Sequence, residues 1–168
     1  GQNRLGQPIA FAGNLPVLSG AEVNKALETR AAALLSFTKG LVFLDGKEPD
    51  RALGEFANTL QEMNDLGYCR QGAEAAPVGK GCEVVHMFLG TAHTNMKQYD
   101  AAEAEFNTAL ALNPDYARAY NGLGKVYYDQ AIAANFDVAG LDKALGYYEQ
   151  ALAAKDAPAS SLSVEKAK

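Results

Sequence analysis

Apolar residues along this chain recur every three to four positions, as on one face of a helix, and that helical pattern itself repeats. Leu89-Gly90 and Leu123-Gly124 stand 34 residues apart, each inside an apolar-periodic stretch. After Gly90 come Ala102, Phe106, Ala109 and Leu110. The same offsets return at Ala144, Tyr148, Ala151 and Leu152, and again at Ala52, Phe56, Thr59 and Leu60. Small residues at the crossing of two antiparallel helices let the backbones approach, and a large ring from the partner fills the adjoining space. One such hairpin cannot bury its own apolar face, whereas three stacked hairpins can.

The spacing also locates the interruptions. Gly40 precedes Ala52, and Gly90 precedes Ala102, by 12 residues, but Gly124 precedes Ala144 by 20. The extra residues are expected as a loop at 131–140. A second insertion, Gly-rich and polar, is expected between the first two repeats at 67–82. Ser19-Gly20-Ala21-Glu22 reads as a capping box and starts a helix near residue 20 that runs to about Leu44. Glu48-Pro49-Asp50 and Asn113-Pro114-Asp115 each offer an N-cap, a Pro at the first helical position and an acid in the first turn.

The run Leu89-Gly90, Tyr99-Asp100-Ala101-Ala102, Phe106, Ala109-Leu110 and Leu112-Asn113-Pro114 resembles a tetratricopeptide repeat. A third copy matches around Tyr120, Leu123, Gly124 and Tyr127 and resumes at Ala144. The first copy departs from the family pattern at Lys39, where the family prefers Leu, and at Thr59, where it prefers Ala. The resemblance spans about residues 33–154. It implies an all-α fold, an antiparallel helix-pair solenoid of about six to seven helices. The expected organisation is an extended arm at 1–20, a repeat domain at 21–154 and a tail at 155–168. The repeats fall at about 33–66, 83–116 and 117–158. The first helix should exceed the family's usual length by about three turns.

In this family the first helix of each pair lines the concave face. Carried over by register, the resemblance assigns Leu34, Phe37, Leu41, Leu44 and Asp45 from repeat one. It assigns Val84, Met87, Thr91, Thr94 and Asn95 from repeat two, and Arg118, Asn121, Lys125, Tyr128 and Asp129 from repeat three. The implied groove is apolar at one end and polar, with two cations, at the other. In the family's chaperone-binding branch, Lys, Asn and Arg grip a peptide's terminal carboxylate. Phe37, Leu41 and Gly122 occupy those positions here, which argues against such a receptor.

Charge and composition narrow the function classes. A net charge of −5 with scattered basic residues disfavours a nucleic-acid surface, and no apolar run is long enough to span a membrane. Cys82, His86 and His93 share one helical face, so a metal site is geometrically conceivable. The family places packing aromatics at both His positions, so no metal, cofactor or catalytic residue is expected. Cys69 and Cys82 bracket the first insertion. A disulfide there would close the loop and imply a periplasmic or other extracytoplasmic protein of bacterial type, whereas two free thiols would suit the cytoplasm.

The start at Gly1, without Met, is expected of a processed or trimmed chain. Pro8-Ile9-Ala10-Phe11 and Leu15-Pro16-Val17-Leu18 suit an extended arm able to cover Phe37 and Leu41. Asp156 to Lys168 lacks helical periodicity, so the last helix is expected to lack a cap. That leaves Leu145 and Tyr148 available for homodimerisation through one end. The function expected is that of a scaffold or adaptor holding a protein or peptide partner in the groove. The alternative is a small-molecule carrier or sensor closed by the arm and the 67–82 loop.

Overall fold

The computed structural model describes residues 19–67, 69 and 81–154, so the 1–18 arm, most of the 67–82 loop and the 155–168 tail lie outside the described residues. Six helices and no strand are found among them: α1 Gly20–Asp45, α2 Pro49–Asp65, α3 Cys82–Asn95, α4 Tyr99–Leu112, α5 Ala117–Ala133 and α6 Val138–Ala153. They form three helical hairpins stacked in chain order, α3 also reaching across to α5. The architecture is the all-α helix-pair solenoid that the repeat predicts.

The glycine-and-ring offset is the device that closes each hairpin. A Cβ placed on Gly40 would lie 2.5 Å from the Phe56 ring, one on Gly90 2.8 Å from Phe106, and one on Gly124 2.6 Å from Tyr148. Phe106 is crowded by the next hairpin as well, because a Cβ on Gly122 of α5 would meet the same edge of the ring. At the first junction the position equivalent to Gly122 is Phe88. Its ring stacks on Phe56 at 5.5 Å and meets Phe37 edge-on at 5.6 Å. The core therefore runs as two linked clusters, one around Phe56 with Val85 and Leu89, the other around Phe106 with Leu123 and Val126.

Helix ends follow the local sequence, with two exceptions. Ser19 caps α1 in a reciprocal box with Glu22, and the helix is 26 residues long against 14 in α3. The first two hairpins turn alike, on Lys47 and Lys97, both left-handed at φ 59°. Gly46 and Met96 donate back to Val42 and Ala92, and Glu48 and Gln98 to Phe43 and His93.

Asn113-Pro114-Asp115, expected to begin a helix, instead makes a turn. Asp115 N–H donates to Asn113 Oδ1 at 3.2 Å and Tyr116 N–H to the Asn113 carbonyl at 3.1 Å, so α5 starts only at Ala117. The segment at 131–140 is not a loop throughout. α5 runs four residues further past its glycine than α3, and α6 begins three residues further ahead of its alanine than α4. Ala131-Ile132-Ala133 continues α5, left-handed Asn135 and Phe136 make the turn, and Asp137 caps α6 by accepting from Gly140 N–H at 2.8 Å.

Candidate functional site: the concave face

The elongated α1 overhangs the hairpin it belongs to, and a cleft opens beneath it. Arg30, Ala33, Leu34 and Phe37 of α1 form one wall, Thr59, Met63 and Leu66 of α2 with the following turn the floor, and Gly81, Val84 and Val85 the far wall. The cleft holds about 410 Å³ and Arg30 is its one charged lining residue. Leu34 stands on the rim, 67% exposed. Above it, Leu27 and Val23 continue the same stripe of α1 and are exposed too.

The far wall is anchored covalently. Cys69 and Cys82 are joined, with Cα atoms 5.5 Å apart across 13 positions of sequence. Cys82 is buried at the first turn of α3, so the bond ties the chain leaving α2 to the start of the helix that carries Val84 and Val85.

The residues assigned to the groove by register divide into three groups. Leu34, Phe37 and Val84 meet at the cleft. Leu41 and Leu44 lie on the same helix but are half-buried against the Phe56 cluster, and Asp45 is exposed at the end of α1. In the middle repeat Met87 is only 7% exposed and belongs to the Phe106 cluster, and Thr94 is buried with its hydroxyl donating to the Gly90 carbonyl at 2.8 Å. Neither is presented to the groove. Thr91 is half-buried and donates to the Met87 carbonyl at 2.9 Å, leaving Asn95 exposed at the end of α3.

The third repeat supplies a polar surface apart from the cleft. Arg118 is exposed, Asn121 half-buried, and Lys125 Nζ donates to Asp129 at 2.7 Å. Tyr128 projects into solvent. Gly122 packs on Phe106 and has no groove-facing function to lend.

Seven cleft residues, Arg30, Ala33, Thr59, Met63, Leu66, Gly81 and Val85, are missing from the register-based set. Arg30 and Gly81 lie outside the repeat boundaries, while Thr59, Met63 and Leu66 belong to a second helix and the turn after it, which the family rule leaves out. A signal did exist: Val23, Leu27, Leu34, Phe37, Leu41 and Leu44 continue one helical stripe along all of α1.

The histidines serve the middle hairpin. His86 Nδ1 lies 2.6 Å from Glu105 Oε2, joining α3 to α4, and His93 Nδ1 lies 2.7 Å from Gln98 Oε1 across the turn. Cys82 is committed to the disulfide. Among the described residues no group of three His, Cys, Asp or Glu side chains converges. At the other end of α5, loss of water and then the Glu103 carboxylate raise the Tyr127 hydroxyl above the ordinary phenol value. Lys143 lies 3.8 Å over the same ring, and Arg51 sits over Phe43 at 3.9 Å in the matching place of repeat one.

Residues 90–130 match the profile of the TPR repeat family. Among curated proteins none is similar enough in sequence to be a relative. Of solved structures, the first TPR domain of the human RPAP3 protein is similar over 81% of this chain and 89% of its own, at 20% identity and a TM-score of 0.58. The first TPR of Spaghetti (RPAP3) bound to the HSP90 peptide SRMEEVD aligns over 82% and 90%, at 20% identity and 0.56. The second TPR domain of human RPAP3, in complex with the HSP70 peptide SGPTIEEVD, aligns over 83% and 97%, at 14% identity and 0.55. The repeat profile is matched across the turn from the middle hairpin to the last, and the six helices are arranged as in these domains, so the fold is that of a tetratricopeptide-repeat domain.

Proposed function

We propose that the protein is a non-catalytic adaptor that seats an amphipathic segment of another protein in the cleft between α1, α2 and α3. The observation that carries this reading is the cleft itself: about 410 Å³, apolar on three sides, with a single guanidinium at its edge. A helix laid along α1 would place apolar residues at three- and four-residue spacing on Leu34, Phe37 and Met63. One carboxylate beside them would answer Arg30, which is exposed at the edge of the cleft.

The peptides bound by the two RPAP3 domains both end in the acidic sequence EEVD. Such a tail needs converging cations. Here the basic residues assigned to the concave face are Arg118 and a Lys125 already paired with Asp129, while the cleft is apolar. An apolar partner therefore fits better than an acidic tail.

A carrier of small molecules would need an enclosed cavity. The arm and most of the loop that would close one lie outside the described residues, whose cleft along Leu34 is an open trough. The Cys69–Cys82 bond fits an extracytoplasmic setting, since such bonds persist in oxidising compartments.

Peptide display against the immobilised protein tests the proposal, with Leu34→Asp as the control surface. Leu34 is exposed, so its replacement leaves the core intact. Selected peptides should carry apolar residues at helical spacing with a nearby acid, and should lose at least tenfold in affinity on Leu34→Asp. Selection of EEVD-like tails, or of peptides indifferent to Leu34→Asp, would refute it.

A further inference from the structure

Independently of the cleft, the two ends of the solenoid carry the two halves of the junction that joins its repeats internally. Each internal junction uses three positions on the incoming first helix, at fixed offsets from its glycine. In α3 these are Val85, Phe88 and Ala92, and in α5 they are Ala119, Gly122 and Val126. Val85, Ala92, Ala119 and Val126 are all buried by the preceding hairpin. The same offsets from Gly40 on α1 fall on Leu35, Thr38 and Val42. Leu35 is 57% and Val42 63% exposed, because no described hairpin precedes α1.

The receiving half is uncovered at the opposite end. Phe106, which takes α5, is 1% exposed, whereas Tyr148 in the same place on α6 is only half-buried. Leu152 and Tyr128 stand open where Leu110 is half-buried and Thr94 buried. A cleft of about 370 Å³ lies on this face between Tyr128, Ile132, Leu145 and Tyr148, with exposed, left-handed Phe136 at its margin.

We infer that copies of this chain stack head to tail, the Leu35–Thr38–Val42 edge of one molecule docking on the Tyr148–Leu152 face of the next. The contact continues the interface that already builds the domain: a ring from the last helix, received by the same three positions of an incoming first helix. Register equivalence extends one position over, since Phe43 of the incoming α1 would meet Leu145 where Tyr127 meets Glu103 inside the domain. Lys39 stands where α3 and α5 place buried Leu89 and Leu123, so the contact between copies is weaker than the internal ones and depends on concentration. The contact is heterologous and does not close on itself as a two-fold dimer would, so growth continues beyond two copies.

Sedimentation velocity of the full chain from low micromolar to millimolar concentration tests this, with Val42→Glu and Leu152→Glu as single-edge variants. Both positions are exposed, and circular dichroism verifies that the variants fold. Wild type should show a series of species growing with concentration. Each variant alone should be monomeric, and an equimolar mixture should reach a dimer and stop, through the one intact edge of each. A wild type monomeric throughout, as when the terminal segments or another helix cover these edges, overturns the inference. So does a dimer that never grows, or a mixture of variants that stays monomeric.

Discussion

Replacing the glycines one at a time by alanine should change stability with a sign set by what the new methyl meets. In a helix interior, Ala is favoured over Gly by about 1 kcal/mol. At Gly54 in α2 and Gly146 in α6 an added methyl would meet nothing within 4 Å, so only that gain applies and both variants should be stabilised by about 0.5–1 kcal/mol. At Gly90 the methyl would sit 2.8–2.9 Å from three atoms of the Phe106 ring. The ring cannot retreat, because α5 also crowds it at Gly122 and the side chain is 1% exposed. Overpacking of this kind costs roughly 1–3 kcal/mol, which outweighs the helix-forming gain and leaves a net loss of about 1–2 kcal/mol.

Gly124→Ala separates crowding from any general dislike of change at repeat glycines. Its methyl is as close to Tyr148, at 2.6 Å, as the others are to their rings, but Tyr148 is only half-buried and can swing outward. The expected effect lies between the two groups, within about 0.5 kcal/mol of zero. Urea unfolding followed by circular dichroism measures the series, and midpoints should fall in the order Gly54→Ala, wild type or Gly124→Ala, then Gly90→Ala. A Gly90→Ala protein as stable as Gly54→Ala would show that close approach to Phe106 is not why glycine stands there.

Other perturbations probe different parts of the argument. Under denaturing, non-reducing conditions the protein should show no reactive thiol. Reduction should then destabilise it by about 3 kcal/mol on the loop-closure estimate, and two reactive thiols in the untreated protein would refute the bond. Phe106→Ala empties the site shared by the last two hairpins and should cost about 3–5 kcal/mol in the same urea experiment. At the start of α1, the Ser19 backbone N–H, and then its hydroxyl, hold the Glu22 carboxyl below its ordinary 4.5. The folded value being lowered, the cap's contribution is full above 4.5 and is lost as pH falls through that lower value. Hydrogen exchange at the Glu22 and Val23 amides, which both donate to Ser19, should accelerate there relative to the same amides in Glu22→Gln, and an unchanged ratio would count against the box.

The parts of this fold that could be read from the sequence are those where one residue type answers one physical demand. A glycine 16 residues ahead of a ring, repeated at Gly40 with Phe56 and Gly90 with Phe106, has few explanations other than two crossing backbones. Ser19 with Glu22 likewise marked a helix start that the structure reproduces to the residue. Asn113-Pro114-Asp115 and 131–140 were less legible because their residues suit two outcomes. Asn and Asp satisfy backbone donors equally well in a turn or at a cap, and Ala131-Ile132-Ala133 extends a helix as readily as it enters a loop.

Exposure in the groove was the hardest feature to read, for a different reason. Periodicity says which side of a helix a residue occupies, but depth depends on what lies across from it. Thr94 and Tyr128 hold the same place in successive repeats. Thr94 is buried, its hydroxyl on the Gly90 carbonyl, because α5 packs over the middle hairpin. Tyr128 is 46% exposed because no described helix follows α6 to pack over the last hairpin. The sequence around each looks like a groove position, and only the stacking order tells them apart. The same logic makes Leu34 the stronger reporter of binding than Met87: both are apolar and on the concave side by register, but a ligand reaches Leu34 without displacing a neighbouring helix.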